Sequence, residues 1–340
     1  MPASLRGGAV MSQDGWAVVD GRLLTGLVDV TDDPAALDSA GLWVVVMTFE
    51  GRLQCLRFAE GQPLDDWYDA APPWHPPAAS QWVSTLPRES YVAGVRTIRE
   101  RIAAGDVYQV NLCRVLSCAM DPDPRALGAA LARGNPAPYA ATVSVPDLGL
   151  HVACASPELS LRRDGRQVAA GPIKGTGATP ADLTAKDAAE NVMIVDLVRN
   201  DLGRVAETGS VAVTGLLRQE RHPGLVHLVS TVEAELRDGL GWADLLAATM
   251  PAGSVSGAPK AAALEIIRSL EPEPRGVYCG AVGWVDADAT RGVLAVAIRT
   301  FEWQEGRLRL GTGAGITWGS DPDREWDETR LKTSRLLEVR

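Results

Sequence analysis

On each of two predicted helices a pair of carboxylates stands three residues apart: Asp187 and Glu190 within AKDAAENVMIVDLVRNDLG, and Glu325 and Glu328 within SDPDREWDETRLK. On a helix, positions three apart share a face, so two such pairs facing one another could clamp one hard divalent cation. Mg²⁺ takes oxygen ligands and keeps positions open for water or substrate oxygens. Acidic pairs of this kind also decorate ordinary solvated helices. What distinguishes the first is its setting, because Val192, Met193, Ile194 and Val195 leave that helix little face for solvent. Lys174 stands in GPIKGTG, where a strand delivers an amine into a glycine-flanked turn open to close approach by a ligand or backbone. As a nucleophile it must be neutral, so burial or neighbouring positive charge has to lower its pKa from about 10.4. As a solvated loop lysine it needs neither.

Three weaker features accompany these. GTGAG, residues 311 to 315, is followed by Ile316-Thr317-Trp318 and a turn, not by the helix a dinucleotide loop requires, and is left with amides to offer an anion. Gly257-Ala258-Pro259 precedes a predicted helix, where amides favour a carboxylate, although the same residues suit a plain helix start. His227, on an alternating strand, has the pattern of a core histidine.

Positioning these groups falls to a chain of strands and interspersed helices. Short apolar runs (Trp16 to Val19, Leu42 to Phe49, Leu53 to Phe58) alternate with Gly, Asp and Pro turns over the first eighty residues. APPWHPPAAS, residues 71 to 80, cannot sustain a helix or central strand and reads as a linker. Residues 1–80 thus read as a strand-rich segment and Pro-rich linker of the same fold, and 81–340 as the part that carries the candidate groups. Ser90 to Ala104 has helical spacing, and Val107 to Cys118 alternates as a strand. Asp164-Gly165 marks a hairpin whose second strand runs into Lys174. Ala181 to Val198 reads as a helix apolar around most of its girth, and Pro259 to Leu270 as another helix. Val211 to Arg218, Leu225 to Leu236, Val277 to Trp284 and Gly292 to Trp303 read as strands, and a last helix opens at Asp321-Pro322. Such an order implies α+β with antiparallel sheets.

Composition narrows the function. The 340 residues carry a net charge of −10, with 46% hydrophobic and 22% charged residues, enough for a large core. An acidic surface without a Lys/Arg run excludes broad nucleic-acid or anionic-membrane binding, so an anionic substrate must be held by a few local cations or a metal. No membrane-length apolar stretch and no secretory pattern at the start imply a cytoplasmic protein. Five cysteines without a Cys-x-x-Cys pair imply free, buried thiols, and four histidines imply no multi-histidine metal centre.

Taken in order, GDVYQVNL (105 to 112), SPEL (156 to 159), GPIKGT (171 to 176), AENVMIVDLVRNDLGRV (189 to 205), VHLVSTV (226 to 232), PAGSVSGAPK (251 to 260), EPEPRGVYCGAVGW (271 to 284), AIRT (297 to 300) and SDPDREWDET (320 to 329) resemble the chorismate-utilising enzymes. Within them the set most resembles the aminodeoxychorismate synthase component I (para-aminobenzoate synthase component I) branch. The resemblance implies two large, mostly antiparallel sheets packed together with helices outside, and Mg²⁺-dependent amination of chorismate at C4, giving 4-amino-4-deoxychorismate for para-aminobenzoate, folate or a related aromatic. It implies that Asp187, Glu190, Glu325 and Glu328 organise Mg²⁺, directly or through water. It implies that Tyr278 and Arg299 bind the enolpyruvyl carboxylate, helped by amides near Gly313 and Gly315, while Gly257 and Ala258 offer amides to the ring carboxylate. Glu158 matches the acid that protonates the leaving hydroxyl, and Lys174 the lysine that adds to C2. Thr176, His227 and Ser254 match positions lining the pocket.

Two positions discriminate among relatives. Isochorismate and salicylate synthases carry a lysine base where Gln109 stands, and anthranilate synthases usually carry alanine, as PIAGT, where Lys174 stands. Asp187 stands where several relatives have Glu. No glutaminase nucleophile motif is present, so the resemblance implies ammonia from a separate glutamine amidotransferase subunit. The alternatives are anthranilate synthase component I and a non-catalytic chorismate-binding subunit.

Overall fold

A computed structural model describes residues 15–64, 66–177, 179–222 and 225–340, and of Thr176, Arg221, His222 and Leu225 the backbone only. The start of the chain, where the absence of a secretory pattern was read, lies mostly outside the described residues. Every strand pairing is antiparallel, and the hydrogen-bonded ladder runs unbroken from the edge strand Ala212–His222 through Leu225–Glu235, Gln167–Gly171, Leu159–Asp164, Arg291–Val296, Ala281–Asp286, Leu42–Met47 and Leu53–Pro63. It continues through Arg22–Thr31, Trp16–Val19, Tyr139–Val145, Leu150–Ser156, Thr300–Gln304 and Arg307–Ile316 to Gln109–Ala119. The two sheets therefore share one continuous ribbon, and strands from before residue 71 pair directly with strands after it.

Among the described residues six α-helices flank this ribbon: α1 (Arg88–Ala103), α2 (Pro124–Gly134), α3 (Ala185–Gly203), α4 (Trp242–Thr249), α5 (Lys260–Leu270) and α6 (Pro322–Leu337). Their starts follow local chemistry. Asp321 Oδ1 accepts the Arg324 amide with Pro322 in the first turn of α6, and Asp123 caps α2 in the same way. No described helix is long and apolar enough to cross a membrane. All five cysteines are free and buried.

Several expectations change. The segment at 71–80 has no strand or α-helix and is mostly exposed, but it is anchored at Trp74, which is buried in one cluster with Leu127, Phe301 and Trp303. Helix α3 is not apolar all round in effect: Ile194, Val195 and Leu202 pack inward while Val192 is 41% exposed. The strand expected over 292–303 is two strands, because Arg299 adopts φ +52° and turns the chain out of one ladder into the next. Cys279, at φ +67°, likewise delays the start of the preceding strand to Ala281.

Candidate functional site

The two ends of the ribbon meet around Lys174. Its strand, Ile173–Gly177, pairs with Leu225–Glu235, and the register breaks between Lys174 and Thr176 at Gly175, whose φ is +78°. A side chain on Gly175 would strike the Cβ of Asp187 at 2.8 Å, so glycine here brings α3 against the lysine strand. Lys174 Nζ donates to the Ser254 carbonyl at 3.2 Å, from the far end of the ribbon. A methyl built on Gly315 would lie 3.5 Å from that Nζ and 2.5 Å from Nε2 of Gln109. Gln109 is fully buried, and neither its amide nitrogen nor its oxygen has a hydrogen-bond partner. A buried polar group so placed is costly unless something else completes it, so Gln109 keeps unspent hydrogen-bonding capacity beside Lys174 and Gly315.

Gly313 and Gly315 lie in the strand Arg307–Ile316 opposite Cys113 and Asn111, whose own amides donate to Glu271 and to the Ser256 carbonyl, so the two glycines stand at positions whose amides turn away from that neighbour, and their missing side chains leave room for Cys113, Gln109 and Lys174. Gly257, at φ +149°, and Ala258 form a two-residue bridge to Val110 and Gln109, and the Ala258 carbonyl accepts the Tyr108 amide. The first turn of α5 follows them and has no side-chain cap.

Glu158 is 4% exposed and lies between the strands ending at Ser156 and starting at Leu159. Burial raises its pKa above the usual carboxylate range, against the opposing pull of the Ser254 hydroxyl and Lys174. Burial lowers the Lys174 pKa, against Glu158 and Glu190. His227 is buried on the strand facing Lys174, its backbone paired with Thr176.

The acids divide. Glu190 on α3 and Glu325 on α6 face one another across the Lys186 ammonium, at 3.6 and 3.5 Å. Glu328 pairs with Lys332 at 2.7 Å. Asp187 turns away: its Oδ2 accepts the Thr184 amide at 2.8 Å and hydroxyl at 2.7 Å, closing a capping box that starts α3. The residue read as a metal ligand thus has one oxygen committed to helix initiation. Among the described residues no three His, Cys, Asp or Glu side chains already converge as a metal centre. In kind the donors do fit a hard divalent ion, being all carboxylate oxygens, with Glu190 Oε1 buried and without a hydrogen bond. Burial raises the pKa of both Glu190 and Glu325, which a bound cation would reverse. Sequence reading missed Lys186 and Lys332. Both were legible as amines four residues from Glu190 and Glu328.

Tyr278 lies flat over Gly311, so close that a methyl there would sit 2.0 Å from the ring. Arg299 has no carboxylate ion-pair partner among the described residues and holds a left-handed backbone, the kind of strain that accompanies functional positions. Behind Tyr278, Arg275 is 1% exposed and binds Glu271 twice, at 2.7 and 2.8 Å, and the carbonyls of Val255 and Asn111 at 2.7 Å each. It ties the Tyr278 segment to the strand of Gln109 and the turn carrying Ser254. Removing the guanidinium strands Glu271 in the core, so Arg275→Met is expected to destabilise the fold by about 3–5 kcal/mol. Urea denaturation will read this as a lowered midpoint.

Among the described residues, a buried acid, a partly buried amine, an arginine without a carboxylate ion-pair partner and two facing acidic helices are thus gathered into one candidate site. Comparison with known proteins gives its family. The model for chorismate binding enzymes matches residues 57–338, and the chain belongs to that family. It is 42% identical over 268 residues to anthranilate synthase component 1 of Streptomyces coelicolor, covering 75% of this chain and 52% of that protein. It is 41% identical to that of Thermus thermophilus, covering 74% and 56%. The chain spans about half the length of the curated relatives it matches. In fold it is similar to a putative 2,3-dihydroxybenzoate-specific isochorismate synthase from Bacillus anthracis (TM-score 0.79, 24% identity, 97% of each chain). It is also similar to anthranilate synthase component I from Streptococcus pneumoniae (TM-score 0.76, 24% identity, 98% and 95% of the two chains).

Proposed function

We propose that this chorismate-utilising enzyme aminates chorismate at C4, as an aminodeoxychorismate synthase component I. The observation that carries the reading is the position of Lys174 Nζ, enclosed between the Ser254 carbonyl and the side-chain-free backbone of Gly315. A nitrogen there occupies the place from which ammonia would otherwise attack C2. Its lone pair adds to C2, both ring double bonds shift, and the C4 hydroxyl leaves as water with a proton from Glu158. Ammonia then bonds at C4, the shift reverses and expels the Lys174 amine, and the new C4 ammonium returns a proton to the Glu158 carboxylate. The enolpyruvyl group is retained, so no pyruvate forms. Tyr278 and Arg299 bind its carboxylate. Glu190 and Glu325, with Glu328, would hold Mg²⁺, and Asp187 would act only through its second oxygen or water. When bound, the ion supplies electron withdrawal through the ring carboxylate. Gln109 cannot act as a base toward water, which disfavours hydroxylation. Ammonia would come from a glutamine amidotransferase subunit.

The second reading, anthranilate synthase component I, is favoured by the identity to proteins so named. The balance of atoms separates the two, since anthranilate formation releases one pyruvate per turnover. Incubation with chorismate, Mg²⁺ and an ammonium salt is expected to consume chorismate without pyruvate, as followed by chromatography and a lactate dehydrogenase couple. Stoichiometric pyruvate with fluorescent anthranilate would establish the second reading instead. Chorismate binding without turnover would indicate a binding subunit.

Tyr278 offers a separate check on the substrate end. In Gly311→Ala the new methyl displaces the ring, so chorismate KM is expected to rise about tenfold in steady-state kinetics, with kcat less affected.

A further inference from the structure

We infer that Lys186 is the built-in counter-cation of the Glu190–Glu325 pair and competes with the divalent ion for it, which rests on the Mg²⁺ site proposed above. Its ammonium lies 3.6 Å from Glu190 and 3.5 Å from Glu325, bridging α3 and α6 at the point where an ion would join them. The other amines of the cluster are engaged elsewhere. Lys174 donates to the Ser254 carbonyl, and Lys332 to Glu328 and the Gly313 carbonyl.

The location of Lys186 in the sequence supports the same reading. It lies in the first turn of α3, immediately after Ala185 and the Thr184 cap, where the helix dipole disfavours a cation. That placement is rational if the ammonium answers to the carboxylates across the gap. Two acids on facing helices, Glu325 at 5% and Glu190 at 16% side-chain exposure, repel one another when left uncompensated. Lys186 offsets that repulsion and keeps the helices in register. With its side chain 50% exposed on a flexible stem, it can swing into solvent when an ion enters. One cation leaves as the other arrives, so the ion binds more weakly than the carboxylates alone would allow.

The test is equilibrium Mn²⁺ binding to the full chain without substrate, with free Mn²⁺ counted by electron paramagnetic resonance, alongside thermal melting. Lys186→Gln is expected to bind Mn²⁺ at least about fivefold more tightly than the parent, the usual scale of a two-site coupling. It should also melt lower than the parent without the ion and gain more from adding it. Lys186→Arg, which keeps the charge, should bind as the parent does. Unchanged or weaker Mn²⁺ binding by Lys186→Gln overturns the competition while leaving the ion site standing. A parent protein that binds no Mn²⁺, or binds it equally after Glu190→Gln, removes the ion site and the inference together.

Discussion

Replacing Lys174 by alanine is expected to abolish formation of 4-amino-4-deoxychorismate, lowering its kcat/KM by about 10³-fold or more, roughly 4 kcal/mol of transition-state stabilisation. The loss should not be one of folding. The lysine backbone stays paired with Leu228, and an amine whose pKa burial has lowered contributes an unfavourable desolvation that alanine removes. The melting temperature is therefore expected to hold or rise. The space vacated lies beside Gly315 and Gln109, so ammonia gains access to C2 and some anthranilate with pyruvate should appear. Chromatographic analysis of products from the variant, beside its melting curve, checks both halves. Undiminished C4 amination by the alanine variant would remove the covalent role and leave Lys174 as an electrostatic neighbour of Glu158.

How much of this was legible in the sequence depended on the range of the interaction. Local chemistry could be read directly: the Asp321-Pro322 start of α6 and the Asp164-Gly165 hairpin occur where residue types alone dictate them. The capping box at Thr184 was equally local, yet Asp187 was read as part of an acidic face, because a carboxylate three residues from Glu190 fits either role until its rotamer is known. Breaks at Cys279 and Arg299 were invisible, since neither residue type announces a positive φ and only the surrounding packing imposes it. Nor could spacing show that GTGAG lies mid-strand. Its glycines answer to Tyr278, Cys113 and Gln109, contacts made from 33 to 206 positions away in sequence. The resemblance to a family supplied the gathering of Glu158, Lys174 and the acidic helices, which depends on two ends of a long antiparallel ribbon coming together and which no local pattern encodes.

Glu158→Gln is expected to cost about 10²- to 10⁴-fold in kcat while leaving chorismate binding close to that of the parent, because the amide keeps the shape and loses the proton. The structure gives this acid and its amine opposite shifts from one cause. Burial raises the Glu158 pKa and lowers that of Lys174, so both displacements favour the pair in which the carboxyl keeps its proton and the amine is neutral. That is the combination the proposed C4 amination requires, a donor for the leaving hydroxyl and a lone pair for C2. The parent rate should fall as pH rises through the folded pKa of Glu158, and this limb should vanish from the residual activity of the glutamine variant. Stability gives the independent sign. Since the folded pKa of Glu158 exceeds its unfolded value, its contribution is fully present below the unfolded pKa and lost as pH rises through the folded one. Glutamine has no such loss, so the variant is expected to match the parent in acid and to melt progressively higher than it toward neutral and alkaline pH. A variant that loses activity and stability together at every pH would mean that Glu158 holds the fold and does not donate the proton.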